Sequence, residues 1–420
     1  MDWPPTTPKD LPARSRVLIT SINYPPEHTG IGPYVGHIAE HLAATGHHVE
    51  VITGVPHYPS WLVAPEFRYR LRTRETRNGV DLRRLRHYVP RRQSALRRGA
   101  YEGTFLLNGV LTRARVRPDV VLVVSPSLAA AALGQSIARR AHVPNAVFVQ
   151  DLMGAAAAQS GISGGSRVAR ATELLEGRVL RAADAIGVVH ASFTPRIVGL
   201  GVDPARIHVV PNWSHIRSAS QPREAIRLRF GWRPEDFIVL HAGNMGLKQG
   251  LDVIVGAARA AVADEPNLRF VLLGDGNQKA FLKASATGLS NLTFEDSVDD
   301  DDFPDVLAAA DALAVTQRGS VLDMSLPSKL TSYFAAAQPV LASVAVEGGT
   351  ANEVRRAGAG VVVPPEDASA LLAAIRVLRD DPAGAATMGR AGRAYAESEL
   401  SMSAGLSRVS RLLGAAMNRN

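Results

Sequence analysis

Short runs of apolar residues alternate with longer segments of helical periodicity along most of this chain. The first run is RVLITSI at 16–22, and a helical pattern over 34–45 ends at Gly46 before the next run, HVEVIT, at 48–53. Runs made almost wholly of Val, Ile and Leu indicate strands that are buried on both faces of a parallel sheet. The pattern therefore predicts that the chain opens with a βαβ unit.

The same alternation continues in two blocks that a polar segment separates. Further strands of the first block are predicted at 119–125, 145–151, 184–190 and 207–212, with helices over about 166–181 and 192–200. The polar segment, WSHIRSASQPREAIRLRF, has no strand pattern and contains Pro222, which is typical of a linker. Strands of the second block are predicted at 237–243, 268–276, 291–295, 311–316, 339–344 and 358–364. Two successive blocks of this kind predict an α/β protein with two Rossmann-like domains.

These patterns set the expected domain boundaries. Residues 1–15 are polar and Pro-rich without an apolar h-region, so they are expected to form a flexible tail and not a signal peptide. The N-terminal domain is assigned to 16–213, the linker to 214–230 and the C-terminal domain to 231–397. The last segment, 398–420, has one apolar helical face, so it is expected to pack against another part of the protein.

Composition narrows the class of protein. The chain has 420 residues and no cysteine, which excludes disulfides, thiol catalysis and cysteine-ligated zinc, and which suits a reducing cytosol. The closest approach to a membrane span, VVLVVSPSLAAAALG, is broken by Ser-Pro-Ser, so no spanning helix is expected.

Positive charge is concentrated in one segment. The formal net charge is +8, yet residues 66–98 alone hold 12 arginines against Glu66, Glu75 and Asp81, so the rest of the chain is close to neutral. Such a patch attracts anionic lipid or a pyrophosphate-bearing acceptor, and a solvated surface without a partner is the alternative. Nucleic acid is not expected, because no recognition motif accompanies the patch.

The first loop rich in glycine follows the first strand. NYPPEHTGIGPY places Gly30 and Gly32 before a helix, at the carboxyl edge where open parallel sheets bind ligands. Val35 stands where a dinucleotide fingerprint requires Gly or Ala, so that kind of site is not supported. A flexible loop that faces a binding cleft is the favoured interpretation, and a plain βα turn is the alternative.

Three strand-to-helix loops of the second block combine small residues with charged ones. Their residues are Gly243, Gly246 and Lys248 in the first loop, Gly274, Asp275 and Gly276 in the second, and Ser328 and Lys329 in the third. Small residues let backbone N–H groups approach an anion, and each lysine adds a point charge. The spacing differs from that of a Walker A loop. Because the three loops converge at one edge of one sheet, they predict a diphosphate site.

Other polar residues are weaker candidates. Asp151 ends a strand, where a carboxylate acts as a base or binds a substrate hydroxyl, and helix capping is the alternative. The acidic run DSVDDDD at 296–302 is better explained as a solvated loop and helix cap than as a magnesium site, so no metal is expected. His28, His57 and His190 fall at strand ends and are candidates for lining a cleft, with surface or capping roles as the alternative.

Four of these stretches together resemble a known family. NYPPEHTGIGPYVGHIAEHLAATGHHVEVITGVPHYPSW, HAGNMGLKQGL, FVLLGDGNQK and LPSKLTSYFAAAQPVLAS occur in the order found in retaining family 4 glycosyltransferases, and the likeness, over about 15–415, is to the colanic-acid and O-antigen type. The resemblance implies the GT-B fold, in which two Rossmann-like domains face a cleft and the last helix crosses back to the N-terminal domain. It implies that the C-terminal domain binds a nucleotide-diphosphate sugar and the N-terminal domain the acceptor. No cofactor or metal is implied, because positive side chains and helix ends stabilise the departing diphosphate.

The resemblance also implies roles for single donor-site residues. Asn244 occupies the place of a family arginine, and Lys248 sits one residue before the usual lysine place, which is Gln249. Lys329 is therefore expected to supply the missing charge and to act in catalysis.

Other family positions are changed in this sequence. Met324 and Ser332 stand where relatives carry two glutamates, so the adjacent Asp323 is expected to contact the donor sugar and Ser332 to hydrogen bond a ribose hydroxyl. Gln150 and Asp151 stand near the place of a family histidine, and Asp151 with the Gly30 loop is expected to form the acceptor side.

The main hypothesis is a metal-independent retaining glycosyltransferase. It is expected to move a sugar from a nucleotide-diphosphate sugar, with UDP favoured, to a lipid-linked or cell-surface glycan. It is expected to be cytoplasmic, with peripheral contact to the inner face of the plasma membrane through residues 66–98. Two alternatives stay open: glycosylation of a small secondary metabolite, and binding of a nucleotide sugar without turnover.

Overall fold

The chain folds into two compact units. In this computed structural model the described residues are 10–91, 94–112, 114–152, 165–213, 218–320 and 329–419. One unit comprises the chain up to Asn212 together with Gly405–Asn420, and the other comprises Trp213–Ala404. Each unit has its own sheet with helices, mostly parallel in the first unit and parallel throughout in the second, as predicted for an α/β protein.

The first unit is built on eight strands. They are β1 Arg16–Thr20, β2 His48–Gly54, β3 Arg72–Arg77, β4 Val80–Leu85, β5 Val120–Val124, β6 Asn145–Val149, β7 Ala185–Val188 and β8 Ile207–Val209. The sheet order is β3-β4-β2-β1-β5-β6-β7-β8, and the β3–β4 pair is antiparallel while the other neighbours are parallel. Its described helices are Gly32–Ala44, Ala95–Val110, Leu128–Ala141, Gly165–Arg181 and Thr194–Gly199. The central strands are buried on both faces, in agreement with their continuous apolar runs.

The second unit is built on six strands, all parallel. They are β9 Phe237–Ala242, β10 Leu268–Leu273, β11 Leu292–Glu295, β12 Ala312–Thr316, β13 Val340–Ser343 and β14 Gly360–Val363, in the order β11-β10-β9-β12-β13-β14. The described helices are Arg223–Arg229, Asp252–Ala261, Lys279–Ser285, Phe303–Ala309, Lys329–Ala335, Gly349–Ala357, Ala368–Asp380 and Pro382–Glu399. Two apolar clusters form the core.

The last helix, Met402–Met417, returns to the first unit. Leu412 packs so closely on Gly187 of β7 that a Cβ there would lie 2.7 Å from the leucine Cδ2. Past the helix, the Arg419 guanidinium pairs with Asp203 at 2.7 Å. The predicted return of the last helix to the N-terminal domain is therefore confirmed. In the described part of the chain, no helix combines the length and the apolar character that a membrane crossing requires.

The basic segment 66–98 contains structure that its sequence did not reveal. Strands β3 and β4 form a hairpin there, and β3 reads RTRETR, which has no apolar alternation because it is an exposed edge strand. On β4, Arg83 is buried and pairs with Glu50 at 2.8 Å, while the buried Arg84 pairs with Glu75 at 2.7 Å. These two arginines of the basic segment are therefore buried and paired, and they are not part of its exposed surface.

Two segments that were expected to be irregular are partly packed. Leu11 is buried although it falls within the expected tail, of which residues 1–9 lie outside the described part of the chain. Within the expected linker, Arg223–Arg229 forms a helix whose Ile226 joins the core of the second unit. A helix of 7 residues is too short for its periodicity to stand out in a sequence.

Candidate functional site

Two glycine loops meet at the carboxyl edge of the second sheet. The first glycine loop, residues 243–246, follows β9, and the second, residues 274–276, follows the neighbouring strand β10. A backbone hydrogen bond of 2.7 Å from Met245 to Asp275 joins them. Gly274 has a φ of +129°, and a Cβ there would lie 2.2 Å from a carbonyl oxygen of the first glycine loop. Only glycine allows this contact between two backbones.

Lys329 lies beside the first glycine loop. A Cβ on Gly243 would be 3.8 Å from the Lys329 Nζ atom, which is itself 3.3 Å from Nε2 of His241. The other ring nitrogen of His241, Nδ1, lies 3.2 Å from the Ala314 carbonyl oxygen. Because a carbonyl oxygen only accepts hydrogen bonds, Nδ1 carries the proton and Nε2 is left to accept from the lysine ammonium.

Burial shifts the pKa of both groups downward. It lowers the pKa of Lys329 to about 8. Burial, and secondly the charge of Lys329, hold the pKa of His241 well below its usual value, so the imidazole is neutral. An ammonium that has lost its water and faces a neutral ring is stabilised by an anion, and a diphosphate provides one.

Hydrogen bonds within the second unit hold this arrangement in place. The hydroxyl of Tyr333, one turn after Lys329, accepts the N–H of Ala242 at 2.9 Å and so ties the helix Lys329–Ala335 to the end of β9. Arg318 donates its backbone N–H to the Lys248 carbonyl at 3.0 Å, which fixes the turn after the first glycine loop. Both contacts orient groups at the same strand end.

The predicted donor-site residues are placed as follows. The structure brings together Gly243, Asn244, Gly246, Gly274, Asp275, Gly276 and Lys329. Lys248 is exposed on the adjoining turn Leu247–Gln249. Ser332 is buried on the helix that begins at Lys329. Asp323, Met324 and Ser328 lie outside the described residues.

Asp151 belongs to the first unit, whereas Lys329 belongs to the second. Asp151 is exposed after β6, and its Oδ1 accepts the backbone N–H of Leu152 at 2.8 Å. The adjacent Gln150 side chain exchanges two hydrogen bonds, of 3.0 and 2.8 Å, with that of Asn212. This amide pair joins the end of β6 to the segment after β8.

A buried carboxylate organises the loops at the carboxyl edge of the first sheet. Oε1 of Glu27 accepts the backbone N–H groups of His57 and Tyr58, both at 2.9 Å, and Oε2 accepts from Nδ2 of Asn23 at 2.8 Å. Glu27 also packs on Gly32, where a Cβ would lie 3.2 Å from the glutamate Cβ. The loop after β1 is therefore tied to the loop after β2.

His57 is the centre of a buried polar chain and does not line an open surface. Its Nδ1 donates to the Val55 carbonyl at 2.8 Å, and Tyr101 donates its hydroxyl to Nε2 at 3.0 Å. Burial lowers the pKa of His57, although Glu27 opposes the shift, and burial together with His57 lowers the pKa of the neighbouring His87 to about 3. Both imidazoles are therefore neutral.

The other two histidines at strand ends, His190 and His28, are not central to a buried polar chain as His57 is. The Nδ1 atom of His190 accepts the N–H of Ser192 at 3.1 Å, which is the capping role given as the alternative. His28 is exposed.

Glu27 and His241 were missed as functional candidates. Glu27 lies in a loop between Pro26 and His28, and no pattern in the neighbouring sequence indicates that its carboxylate is buried. His241 did leave a signal, since it is a single polar residue within the buried strand FIVLHA.

Two residues of the acidic run form ion pairs. Asp296 pairs with Lys279 at 2.6 Å and Asp302 with Arg229 at 2.6 Å. Among the residues that the structure describes, no three His, Asp or Glu side chains are grouped as a metal site would require. Independence from metal stays a prediction.

Two units with glycine loops at the carboxyl edges of their sheets define a two-domain α/β protein, and comparisons with known proteins specify its class. Residues 29–213 match the family model for a glycosyl transferase 4-like domain, and residues 236–381 match the model for glycosyl transferases group 1. WcaI of Escherichia coli, a glycosyl transferase assigned to colanic acid biosynthesis, is 32% identical over 375 residues, which is 86% of this chain and 91% of the relative. The chain therefore belongs to the group 1 glycosyltransferases, and the predicted family and enzyme class are confirmed.

Solved structures share the fold over nearly the whole chain. Sucrose-phosphate synthase from Thermosynechococcus elongatus superimposes with a TM-score of 0.68 at 19% identity, covering 95% of this chain and 98% of that one. HepE from Anabaena, solved in complex with UDP, superimposes with a TM-score of 0.66 at 14% identity, covering 94% of this chain and 98% of HepE. These likenesses confirm the predicted GT-B fold.

Proposed function

We propose that this glycosyltransferase moves a sugar, with retention, from a UDP-sugar to a lipid-linked or cell-surface glycan without a metal ion. The observation that carries the donor assignment is the partly buried ammonium of Lys329 beside two joined glycine loops. Two relatives support the finer assignments. WcaI is assigned to colanic acid biosynthesis, and HepE has been solved with UDP and with UDP-glucose.

In the proposed reaction the bond between the anomeric carbon and the diphosphate oxygen breaks as an acceptor hydroxyl bonds to the same face of that carbon. The hydroxyl proton leaves with the departing diphosphate. Negative charge grows on the diphosphate as the bond breaks, and a positive charge fixed beforehand stabilises it. Lys329 supplies that charge, and small residues of the glycine loops let backbone N–H groups approach the phosphates. Asp151, exposed at the end of β6, is proposed to bind the acceptor hydroxyl.

The donor assignment is tested by replacing Lys329 with alanine. UDP release from a panel of UDP-sugars, with a crude glycolipid extract as acceptor, should fall by about 10²- to 10³-fold in kcat/KM. Lys283→Ala is the matched control, because Lys283 is an exposed lysine of the helix Lys279–Ser285. If Lys329→Ala, folded by thermal shift, keeps the kcat/KM of the unsubstituted protein, the donor assignment is wrong.

Peripheral contact with an anionic membrane is proposed for one surface of the first unit. Arg72 donates to the side-chain oxygen of Asn108 at 2.8 Å and to the Leu111 carbonyl at 3.3 Å, which brings the hairpin against the end of the helix Ala95–Val110. Three exposed leucines lie at this junction, Leu71, Leu107 and Leu111. Exposed arginines of the same segment are Arg68, Arg70, Arg74 and Arg77. Apolar side chains among arginines suit the interface of an anionic bilayer.

A further inference from the structure

Two aromatic side chains stand together on the loop that follows β2. The ring centroids of Tyr58 and Trp61 are 6.2 Å apart, and the ring planes are at 85° to each other. Tyr58 is 37% exposed and Trp61 is half-buried, so both rings reach the surface. Exposed aromatic rings are common on protein surfaces. These two are distinguished by the buried groups that hold their loop in place.

The backbone that carries the two rings is held rigidly from below. Glu27 accepts the N–H groups of His57 and Tyr58, so the start of the loop is bound to a buried carboxylate. The Trp61 ring packs on buried rings, with centroid distances of 5.6 Å to His57 and 5.7 Å to Tyr101. Trp61 itself has a φ of +55°, a conformation that bulky residues rarely adopt and that is found preferentially at functional sites.

Gly30 completes this surface from the neighbouring loop. It has a φ of +69°, and a Cβ there would lie 3.1 Å from Cε1 of Tyr58. The glycine thus keeps one edge of the tyrosine ring uncovered by a side chain. Both loops lie at the carboxyl edge of neighbouring strands β1 and β2, where open parallel sheets bind their ligands.

We propose that Tyr58 and Trp61 form a subsite that binds one pyranose ring of the saccharide acceptor, and that Glu27 is its positioning residue. The proposal rests on the proposed function, because it deepens the acceptor side of that reaction. A pyranose presents C–H groups on its faces, and these are attracted to the negative face of an aromatic ring. Two rings whose planes stand at a wide angle can contact two sides of one sugar at the same time. Two coplanar rings, or two mobile rings, would not hold the sugar in this way.

The subsite is tested without donor or turnover. The probe is a set of methyl glycosides of glucose, galactose, mannose and fucose, observed by saturation-transfer NMR with the full-length protein. Ring C–H protons of at least one glycoside should receive saturation, and Tyr58→Ala should reduce that transfer at least about fivefold, in line with the loss of one aromatic contact. Tyr69→Ala is the matched control, since Tyr69 is 95% exposed on the same unit. Absence of transfer to every glycoside, or equal transfer in Tyr58→Ala and Tyr69→Ala, overturns the subsite.

The positioning role of Glu27 has its own readout. Gln at this position keeps one accepting oxygen but replaces the other with a donor that faces the Asn23 amide. Glu27→Gln should therefore weaken glycoside saturation transfer and raise KM for the glycolipid extract about tenfold, with a much smaller change in kcat. A variant in which kcat falls as much as KM rises, or in which neither changes, shows that Glu27 does not position the subsite. If the donor assignment is wrong, the Lys329 variants will show it. The glycoside experiment still tests the subsite in that case, because it uses no donor.

Discussion

At the scale of single residues, the proposed donor site depends on a lysine that is mostly removed from water. Lys329 is largely buried, and its described neighbour at hydrogen-bonding distance is the neutral imidazole of His241. Removing an ammonium from water costs free energy, and a hydrogen bond to a neutral imidazole offsets only part of that cost. An anionic ligand would stabilise this ammonium, and the diphosphate of the proposed donor is such a ligand.

Donor affinity should fall as the pH rises through the pKa of Lys329. Burial lowers that pKa to about 8, so the ammonium is present below this pH and is lost above it. The dissociation constant of UDP, measured by calorimetry from about pH 7 to about pH 9.5, should rise up to tenfold per pH unit beyond 8. Lys329→Arg should abolish this rise, because a guanidinium stays charged. An equally steep rise in the arginine variant would assign the effect to another group.

A buried ion pair stabilises the edge of the first sheet. Glu50 pairs with Arg83 at 2.8 Å, and both side chains are buried. Glu50→Ala removes the carboxylate that pairs with this buried guanidinium, so the free energy of unfolding should fall by about 3–5 kcal/mol in urea denaturation. Adding Arg83→Met should restore much of that loss, since the buried positive charge is then removed as well. Glu397→Ala, which breaks an exposed pair with Arg393, should cost less than about 1 kcal/mol.

At the scale of elements, the two glycine loops of the proposed donor site depend on contacts between backbones. The first and second glycine loops touch where Gly274 meets the carbonyl oxygen of Gly243. The position of one loop therefore sets the position of the other, and the helix Lys329–Ala335 is fixed to the same strand end through Tyr333. The two glycine loops and this helix are therefore held together at one strand end.

Gly274→Ala should disrupt this surface. The new Cβ would lie 2.2 Å from the Gly243 carbonyl, in a residue whose φ is +129°, so the second unit should lose roughly 3 kcal/mol or more of stability. Thermal denaturation should show an earlier transition, and UDP should raise the midpoint less than it does in the unsubstituted protein. Gly288→Ala is the control that introduces backbone strain without a steric clash. Gly288 has a φ of +83°, but a Cβ there would have no heavy atom within 4 Å, so the substitution should cost only about 1 kcal/mol of stability. Equal losses in the two variants would contradict the role given to the contact.

Element prediction succeeded where strands are buried and failed at the exposed edge. Strands such as β5 and β12 were found because they are apolar throughout. The β3–β4 hairpin was missed, because β3 is polar on both faces and the buried arginines of β4 resemble surface residues in a sequence. Burial of Arg83 depends on Glu50, and such a pairing between distant residues has no local pattern.

At the scale of the whole molecule, the two units are not two consecutive halves of the chain. The first unit takes its last helix from the far end of the sequence, and Leu412 reaches the sheet only because Gly187 has no side chain. The exposed leucine and arginine surface also belongs to the first unit. We therefore assign the proposed membrane contact to this unit.

Vesicle flotation tests that contact. The protein should float with vesicles of phosphatidylcholine and phosphatidylserine but not with phosphatidylcholine alone, and binding should fall with salt. Replacing Arg70 and Arg74 with serine should weaken binding by at least tenfold, because each arginine contributes about 1 kcal/mol near the surface. The same change at Arg139 and Arg140, which are exposed on the helix Leu128–Ala141, should have little effect. Equal losses in the two variants would indicate general charge attraction and not this surface.

The sequence by itself determined the class of fold, the family, and the glycine loops with Lys329, because buried strands, tight turns and helix starts are specified by residues close together in the chain. Only the tertiary structure decided which polar groups are buried against each other. His241 beside Lys329, Glu27 beneath Tyr58 and Glu50 beside Arg83 join residues from different elements. The lowered pKa values of Lys329 and His241 arise from the water that folding removes around them, and local sequence patterns do not record that loss.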